Sequence, residues 1–404
     1  MCSGCCRGWN VNLTEAEAAQ FKDFDWRGTR PRFAGREPLE SLGEGRYRLA
    51  HIADACIFLD DDNLCAIHKE LGFDAKPRMC KQFPYHPVET PDGIVGSFDF
   101  ACPTVVADKG APIEEHEADF RGVVARAIAE RMQEEPSMAA RRASLRGEHA
   151  LSARRGVPLA WSDYGELENA QLEILRDSTQ PLAQRMLRID RLGTDAHLHA
   201  EPGAMSRWIG GLRTQRWSPL DEIAGPPAVA MRQRAVLAPL IAGVEGGWIV
   251  QTGGRSSARD RIGLALAVVG SQRTVRLATA EAELPLSRMP RTGFDQDGAL
   301  AGTFARFLEA YLVRKSLVDG VSMFQGVRYL ALFFGVIRWY AVARAVMAER
   351  EAATEDDLRY AIALMERCLS HAEGFRSPRL SSLINLLFDR VSPTPTLYPS
   401  PYPA

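Results

Sequence analysis

The sequence predicts an α+β protein, mostly α. A small cysteine-rich metal-binding domain with a β-hairpin comes first, and a larger helical portion follows. Three observations predict this. Seven of the eight cysteines fall in the first quarter: Cys2, Cys5, Cys6, Cys56, Cys65, Cys80 and Cys102, with Cys368 standing alone near the C-terminus. Short β-prone runs alternate with turn formers between them. Beyond residue 300, apolar residues recur at helical spacing in three successive segments.

The 404 residues leave room for two or three domains. The expected divisions are a metal-binding domain at 1–110, a mixed and mainly helical region at 111–300, a helical bundle at 301–390 and a disordered tail at 391–404. Hydrophobic content of 46% and charged content of 25% are those of an ordinary globular chain. A net charge of −2 supplies no global attraction to nucleic acid, and none is expected as a partner. No apolar run approaches the length of a membrane span. The longest, from Tyr329 to Ile337, is closed by Arg328 and Arg338. The N-terminus lacks the basic start and apolar core of an export signal, so the cytoplasm is the expected compartment. Clustered cysteines in a reducing compartment bind metal more often than they pair as disulfides. An odd number would also leave one thiol over.

Cys2-Ser3-Gly4-Cys5-Cys6 opens the chain. Two cysteines separated by two residues aim both sulfurs at one ion, and Gly4 permits the tight turn. Cys6 joins them only if the turn curls. Thr14 with Glu17 three residues on is a capping box, so a helix should run to about Phe24. Residues 25–45, rich in Gly, Pro and Arg, read as loop.

Residues 54–68 follow the hairpin pattern: two short β-prone runs around Asp60-Asp61-Asp62-Asn63. In that register Leu59 pairs with Leu64 and Phe58 with Cys65. Cys56 and Cys65 then share a face as diagonal neighbours, roughly 7 Å apart. The acidic run lacks the spacing and glycine of a calcium loop and reads as a solvated turn. Pro77 suits a helix start and Pro84 ends the segment that carries Cys80. Arg78 and Lys81 flank Cys80, where positive charge favours the thiolate that a metal requires. Cys102-Pro103 supplies the last clustered cysteine. His68 and His86 are possible replacement ligands, with turn or surface placement as the alternative.

The order of these elements resembles the bacterial cysteine-cluster (YkgJ-type) family of zinc- or iron-chelating proteins. The residues that carry the likeness are Cys2-Ser3-Gly4-Cys5-Cys6, Cys56-Ile57-Phe58-Leu59, Cys65-Ala66-Ile67-His68 and Arg78-Met79-Cys80-Lys81-Gln82-Phe83-Pro84. They span about residues 1–105. In size and layout the chain is similar to the family's long branch, the flagellin lysine N-methylases. That resemblance implies methyl transfer from S-adenosylmethionine to protein lysines, an iron–sulfur cluster (4Fe-4S) or zinc as cofactor, and a flagellin-like protein partner. It identifies no catalytic residue here.

The rest of the chain reads mainly as helix. Glu114 to Glu135 carries Phe120, Val123, Val124 and Ile128 on one side. Residues 138–155 hold five arginines, read as a solvated helix and linker or as a basic patch. Ser162 or Asp163 should cap a helix with Leu167, Leu172 and Leu175, and Pro181 should start another. Gly246-Gly247 and Gly253-Gly254 look like turns. The run Leu264 to Val269 is helix or buried strand. No G-x-G-x-x-G follows a strand, so a doubly wound cofactor-binding fold is not expected. From Gly302, Phe304, Phe307, Leu308, Tyr311 and Leu312 form one apolar face. Met323 to Arg350 is a second helix, and Thr354 caps a third. Cys368 is either core packing or, with His371, a nucleophile; Tyr311, Trp339 and Tyr340 are core aromatics or a lysine clamp.

Overall fold

A computed structural model describes residues 3–53, 55–134, 151–154, 157–198, 227–252, 254–270, 273–294, 298–315 and 323–370. It is α+β and mostly α, with small antiparallel sheets.

Strand β1 (Asn12–Leu13) leads into α1 (Glu15–Lys22). The capping box is formed: Glu17 N donates to Thr14 Oγ1 at 3.3 Å, and Thr14 N donates to the Glu17 carboxylate at 3.1 Å. The stretch expected to be loop holds more structure: a turn of helix, α2 (Trp26–Thr29), a 3-10 turn at Pro31–Phe33, and β2 (Leu39–Gly43) paired with β3 (Arg46–Leu49). Its Gly content serves the hairpin turn, where Gly43, Glu44 and Gly45 all have positive φ. The sheet order is β1-β3-β2.

The hairpin expected at 54–68 does not form. Strand β4 (His51–Ile52) pairs with β5 (Ala55–Cys56), so Cys56 faces His51 across the ladder. Leu59 makes one bridge with Cys65, not with Leu64, and helix α3 (Ala66–Leu71) begins immediately after. The run Cys65 to His68 therefore closes a turn and starts a helix, where a second strand was expected. Phe58 decides this. It is fully buried and packs on Trp26, Phe33 and Phe21 with ring centroids 4.8, 5.3 and 6.0 Å away. Burying four aromatic rings outweighs extending a two-strand ladder. These rings, with Val11, Leu13, Leu49, Ile57 and Ile67, form a small core of their own.

Helix α4 (Arg78–Gln82) follows, with Pro77 at its N-cap position. The long hairpin of this region lies further on: β6 (Tyr85–Thr90) pairs with β7 (Gly93–Phe98), Tyr85 opposite Phe98. Pro91-Asp92-Gly93 is its turn signal. Helix α5 (Pro103–Val106) starts with Pro103 in its first turn.

After a 3-10 turn at Ile113–His116, α6 (Glu117–Glu134) runs as expected. Residues 135–150 lie outside the described residues. The described end of the basic stretch is strand, not linker: β8 (Leu151–Arg154) pairs with β9 (Val157–Leu159). Helix α7 (Trp161–Arg176) begins with Ala160 at the N-cap, so neither Ser162 nor Asp163 caps it. Then come α8 (Leu182–Leu198), α9 (Pro227–Gln251) and α10 (Ala258–Gly270). Gly246 and Gly247 lie inside α9 instead of forming a turn. A Cβ on Gly246 would come within 2.8 Å of Arg261, so the missing side chain lets α10 pack close. Strands β10 (Thr274–Leu277) and β11 (Ala282–Pro285) form a hairpin, and a 3-10 segment Leu286–Arg291 follows.

The last part is helical: α11 (Ala301–Val313), α12 (Met323–Met347) and α13 (Glu355–Met365), continued by a π-helical turn Glu366–Ser370. Helix α12 is the hub. It packs on α8, α9, α13, β8 and β11, and Phe334 stacks on Phe304 at 4.6 Å. Arg338 does not close its apolar run, as the sequence suggested; it is itself buried, 2% exposed. Tyr329–Met347 is long and apolar enough to cross a membrane, but 89% of that window is buried inside the protein. It is apolar on all sides because other elements cover all sides.

Candidate metal centre

Loop, strand and helix ends bring five of the predicted thiols together. Gly4–Cys6 curls as one turn of 3-10 helix, with Cys6 N donating to Ser3 O at 2.9 Å. That curl places the Cys5 and Cys6 side chains in a mutual hydrogen bond. An antiparallel bridge from Arg7 to Ala55 holds the loop beside β5, and so beside Cys56. A hydrogen bond from Ser3 Oγ to Asn63 Oδ1, 3.0 Å, ties the same loop to the turn that precedes Cys65. Cys65 is the N-cap of α3. Cys80 sits mid-helix in α4, whose first N–H, that of Arg78, donates to Glu17 Oε1 at 2.9 Å. Glu17 thus caps α1 and anchors α4 at once.

The thiols are near enough to feel one another's charge. The Cys80 thiol is pushed up, first by burial and then by Cys56, with Cys65 and Cys5 adding to it and Lys76 opposing. Burial pushes the Cys56 thiol up to about 12; Cys65 and Cys5 add, while Arg32 opposes. Cys6 is also raised, by its bond to Cys5 and by burial, with Cys56 and Cys80 contributing. Cys5 alone is drawn down, to about 6: Cys6 donates to its sulfur, and Lys76 and Arg367 support the anion against burial. Cys5, Cys6, Cys56, Cys65 and Cys80 are therefore one interacting set. Cys102 is half-buried at the N-cap of α5, which packs on α13 in the helical body. Cys368 is in the large core, 2% exposed. Cys2 and His371 lie outside the described residues.

Donor chemistry fits a thiolate-seeking ion. The sulfurs are soft ligands, that of Cys56 on a buried residue and the other four on half-buried ones, with Arg32, Lys76 and Arg367 as nearby cations. Among the described residues, no three His, Cys, Asp or Glu side chains stand as a ready-made coordination shell. Protonated thiols are not drawn onto one point; a metal binds the deprotonated sulfurs. Lys76, one residue before the helix-starting Pro77, acts on Cys5 and Cys80, where the sequence pointed to Arg78 and Lys81. Arg32 and Arg367 carry no local signal, because only the fold brings them near.

The acidic turn is explained by ion pairs. Asp60 takes Arg30 and Lys69, the latter at 2.9 Å, and Asp62 takes Lys69 at 2.5 Å. His68 packs edge-on to Phe73 at 6.0 Å, and His86 lies within β6.

Residues 1–103 match the family model CxxCxxCC, described as "Putative zinc- or iron-chelating domain". The match is confined to the first quarter of the chain. An uncharacterised protein of Methanocaldococcus jannaschii is 36% identical over 86 residues, covering 21% of this chain and 27% of that protein. A Salmonella typhimurium protein named lysine-N-methylase is 26% identical over 117 residues, covering 26% of this chain and 29% of its own length. The flagellar biosynthetic protein FliU of Salmonella muenchen is 27% identical over 115 residues, covering 26% of this chain and 68% of FliU. The match thus spans under a third of the first two relatives. No solved structure matches the chain.

Proposed function

We propose that the chain is a protein-lysine N-methyltransferase whose CxxCxxCC domain holds an iron–sulfur cluster of the 4Fe-4S type or, failing that, zinc. What supports this is a set of five electrostatically interacting thiols within residues 1–103, which match the zinc- or iron-chelating model, together with the partial likeness to a protein named lysine-N-methylase. Cys5, Cys6, Cys56, Cys65 and Cys80 would hold the metal, with Cys2 and Cys102 as the further ligands. S-adenosylmethionine is the proposed methyl donor, a flagellin-like protein the proposed acceptor, and a reducing cytoplasm the proposed setting. When bound, such a centre supplies a Lewis-acidic or redox-active site beside the helical body.

A second reading is favoured by the limits of the likeness. The family-model match ends at residue 103, the likeness to the protein named lysine-N-methylase covers 26% of the chain, and a metal wrapped by four sulfurs has no open position for substrate. In that reading the metal holds a small interaction module together and no methyl group is transferred. Two experiments separate them. Anaerobically purified protein showing broad absorbance near ~400 nm supports thiolate-bound iron–sulfur; a colourless, zinc-loaded protein supports the module. Incubation with S-adenosylmethionine and flagellin, followed by mass spectrometry, should show methylated lysines. A flagellin that gains no methyl group would overturn the enzyme reading.

A further inference from the structure

The far end of the helical body reaches back to the cysteine loop. Arg367 lies in the π-helical turn after α13, and its guanidinium stands 5.8 Å from the Trp9 ring. Gly8, between Cys6 and Trp9, has φ +66°. A Cβ there would lie 3.7 Å from Arg367 Nη1 and 3.4 Å from the tip of the Trp248 ring, on α9. Trp9 also packs edge-on to Phe83 at 4.8 Å, and His51 Nε2 is hydrogen-bonded to its carbonyl at 2.9 Å. The loop that presents Cys5 and Cys6 is thus held from one side by the cysteine domain and from the other by the helical body.

Charged groups meet at this junction. Burial pulls the Arg367 guanidinium down, while Cys368 first, then Cys5 and Asp99, the last 3% exposed, support its charge. Asp99 also interacts with Arg314. Arg314 makes a two-pronged pair with Glu366 at 2.6 and 2.7 Å. A guanidinium keeps its charge at all ordinary pH. A metal held by four or more thiolates carries net negative charge, and a fixed cation beside it offsets that charge. Neutral thiols offer Arg367 much less.

We propose that Arg367 is a positioning residue of the metal centre: it balances the charge of the loaded thiolates and makes metal loading lock the Gly4–Trp9 loop onto the helical body. This rests on the metal-binding reading above. Metal loading therefore stabilises the helical body as well as the cysteine domain, and Arg367 transmits that gain.

The full chain is tested as wild type, Arg367→Gln, Arg367→Lys and Gly8→Ala. Metal content of the wild type is measured first; a wild type without zinc or iron ends the metal reading and this inference with it. For loaded protein, metal retention against a chelator and the rise in Tm on loading are then compared. Arg367→Gln should lose about 10- to 100-fold in metal affinity, as outer-shell changes do, and much of the Tm rise. Arg367→Lys should recover part of both. Gly8→Ala leaves room for its methyl but strains the loop backbone at φ +66°, shifting the loop against Arg367 from the cysteine side, and should reproduce the loss, which keeps the test decisive if Arg367→Gln misfolds. Wild-type retention and an undiminished Tm rise in Arg367→Gln, or in Gly8→Ala if Arg367→Gln does not fold, would overturn the inference while leaving the metal reading intact.

Discussion

Cys56 and Cys80 carry the account at the scale of single residues. Both thiols are raised, first by burial and then by neighbouring thiols, Cys65 and Cys5 acting on Cys56 and Cys56 acting on Cys80, so the metal-free protein keeps them protonated at neutral pH. Binding must displace those protons, and ligand removal should be severe. Cys56→Ser or Cys80→Ser should lose the bound metal and much solubility, whereas Cys368→Ser should retain wild-type metal content. Elemental analysis of the three variants checks this, and metal loss from Cys368→Ser would show that the cysteines are divided wrongly. Cys368 gives a separate pH prediction. Burial pushes its thiol from 9.0 up to about 12, so the folded chain holds a proton that the unfolded chain releases. Its contribution is fully present below pH 9.0 and fades as pH rises towards about 12. Urea midpoints across that range should fall less steeply for Cys368→Ser than for wild type.

Two helix caps were legible in the sequence, while the one expected at Ser162 or Asp163 falls at Ala160. Thr14 with Glu17 starts α1 where the sequence says, and Thr354 starts α13 with Asp357 closing the box, its carboxylate accepting from Thr354 N at 2.8 Å. Thr354→Ala should cost about 1 kcal/mol in equilibrium unfolding. An unchanged unfolding free energy would mean that Arg344 and Arg350, which also bind Asp357, hold the helix end alone. Caps are local, so a window of four residues contains their whole cause. Strand pairing is not local. The runs around Asp60 to Asn63 have the composition of a hairpin, yet Phe58 is drawn into a core with Trp26 and Phe33, and Cys65 starts a helix. The turn Pro91-Asp92-Gly93 was equally readable and marks the hairpin that does form. Gly246 and Gly247 misled for a related reason: paired glycines read as a turn until α10 packs against them. The cysteines themselves were legible as a set. Their order and the cations Arg32, Lys76 and Arg367 depend on contacts distant in sequence.

At the scale of the whole molecule, two of the places where the cysteine domain meets the helical body stand out among the described residues. One is the seat of α5, where Arg306 donates to the carbonyls of Val105 and Val106 at 3.0 and 2.9 Å and Phe100 packs on Phe307. The other is the junction of Trp9, Arg367 and Asp99. Beneath it lies the Arg314–Glu366 pair, 1% and 0% exposed. Removing one member strands a buried charge. Glu366→Gln should destabilise the protein by about 3–5 kcal/mol, while replacing both residues with apolar ones of similar volume should restore most of that. Denaturant titration of the single and double variants decides it; equal losses in both would show that the pair is worth its net attraction and not merely its mutual neutralisation.

The most direct test of the central claim is elemental analysis of the full chain, purified without oxygen or chelators. The account predicts iron or zinc at stoichiometric occupancy, released when Cys56 or Cys80 is changed to serine. Protein that folds with neither metal bound would contradict it.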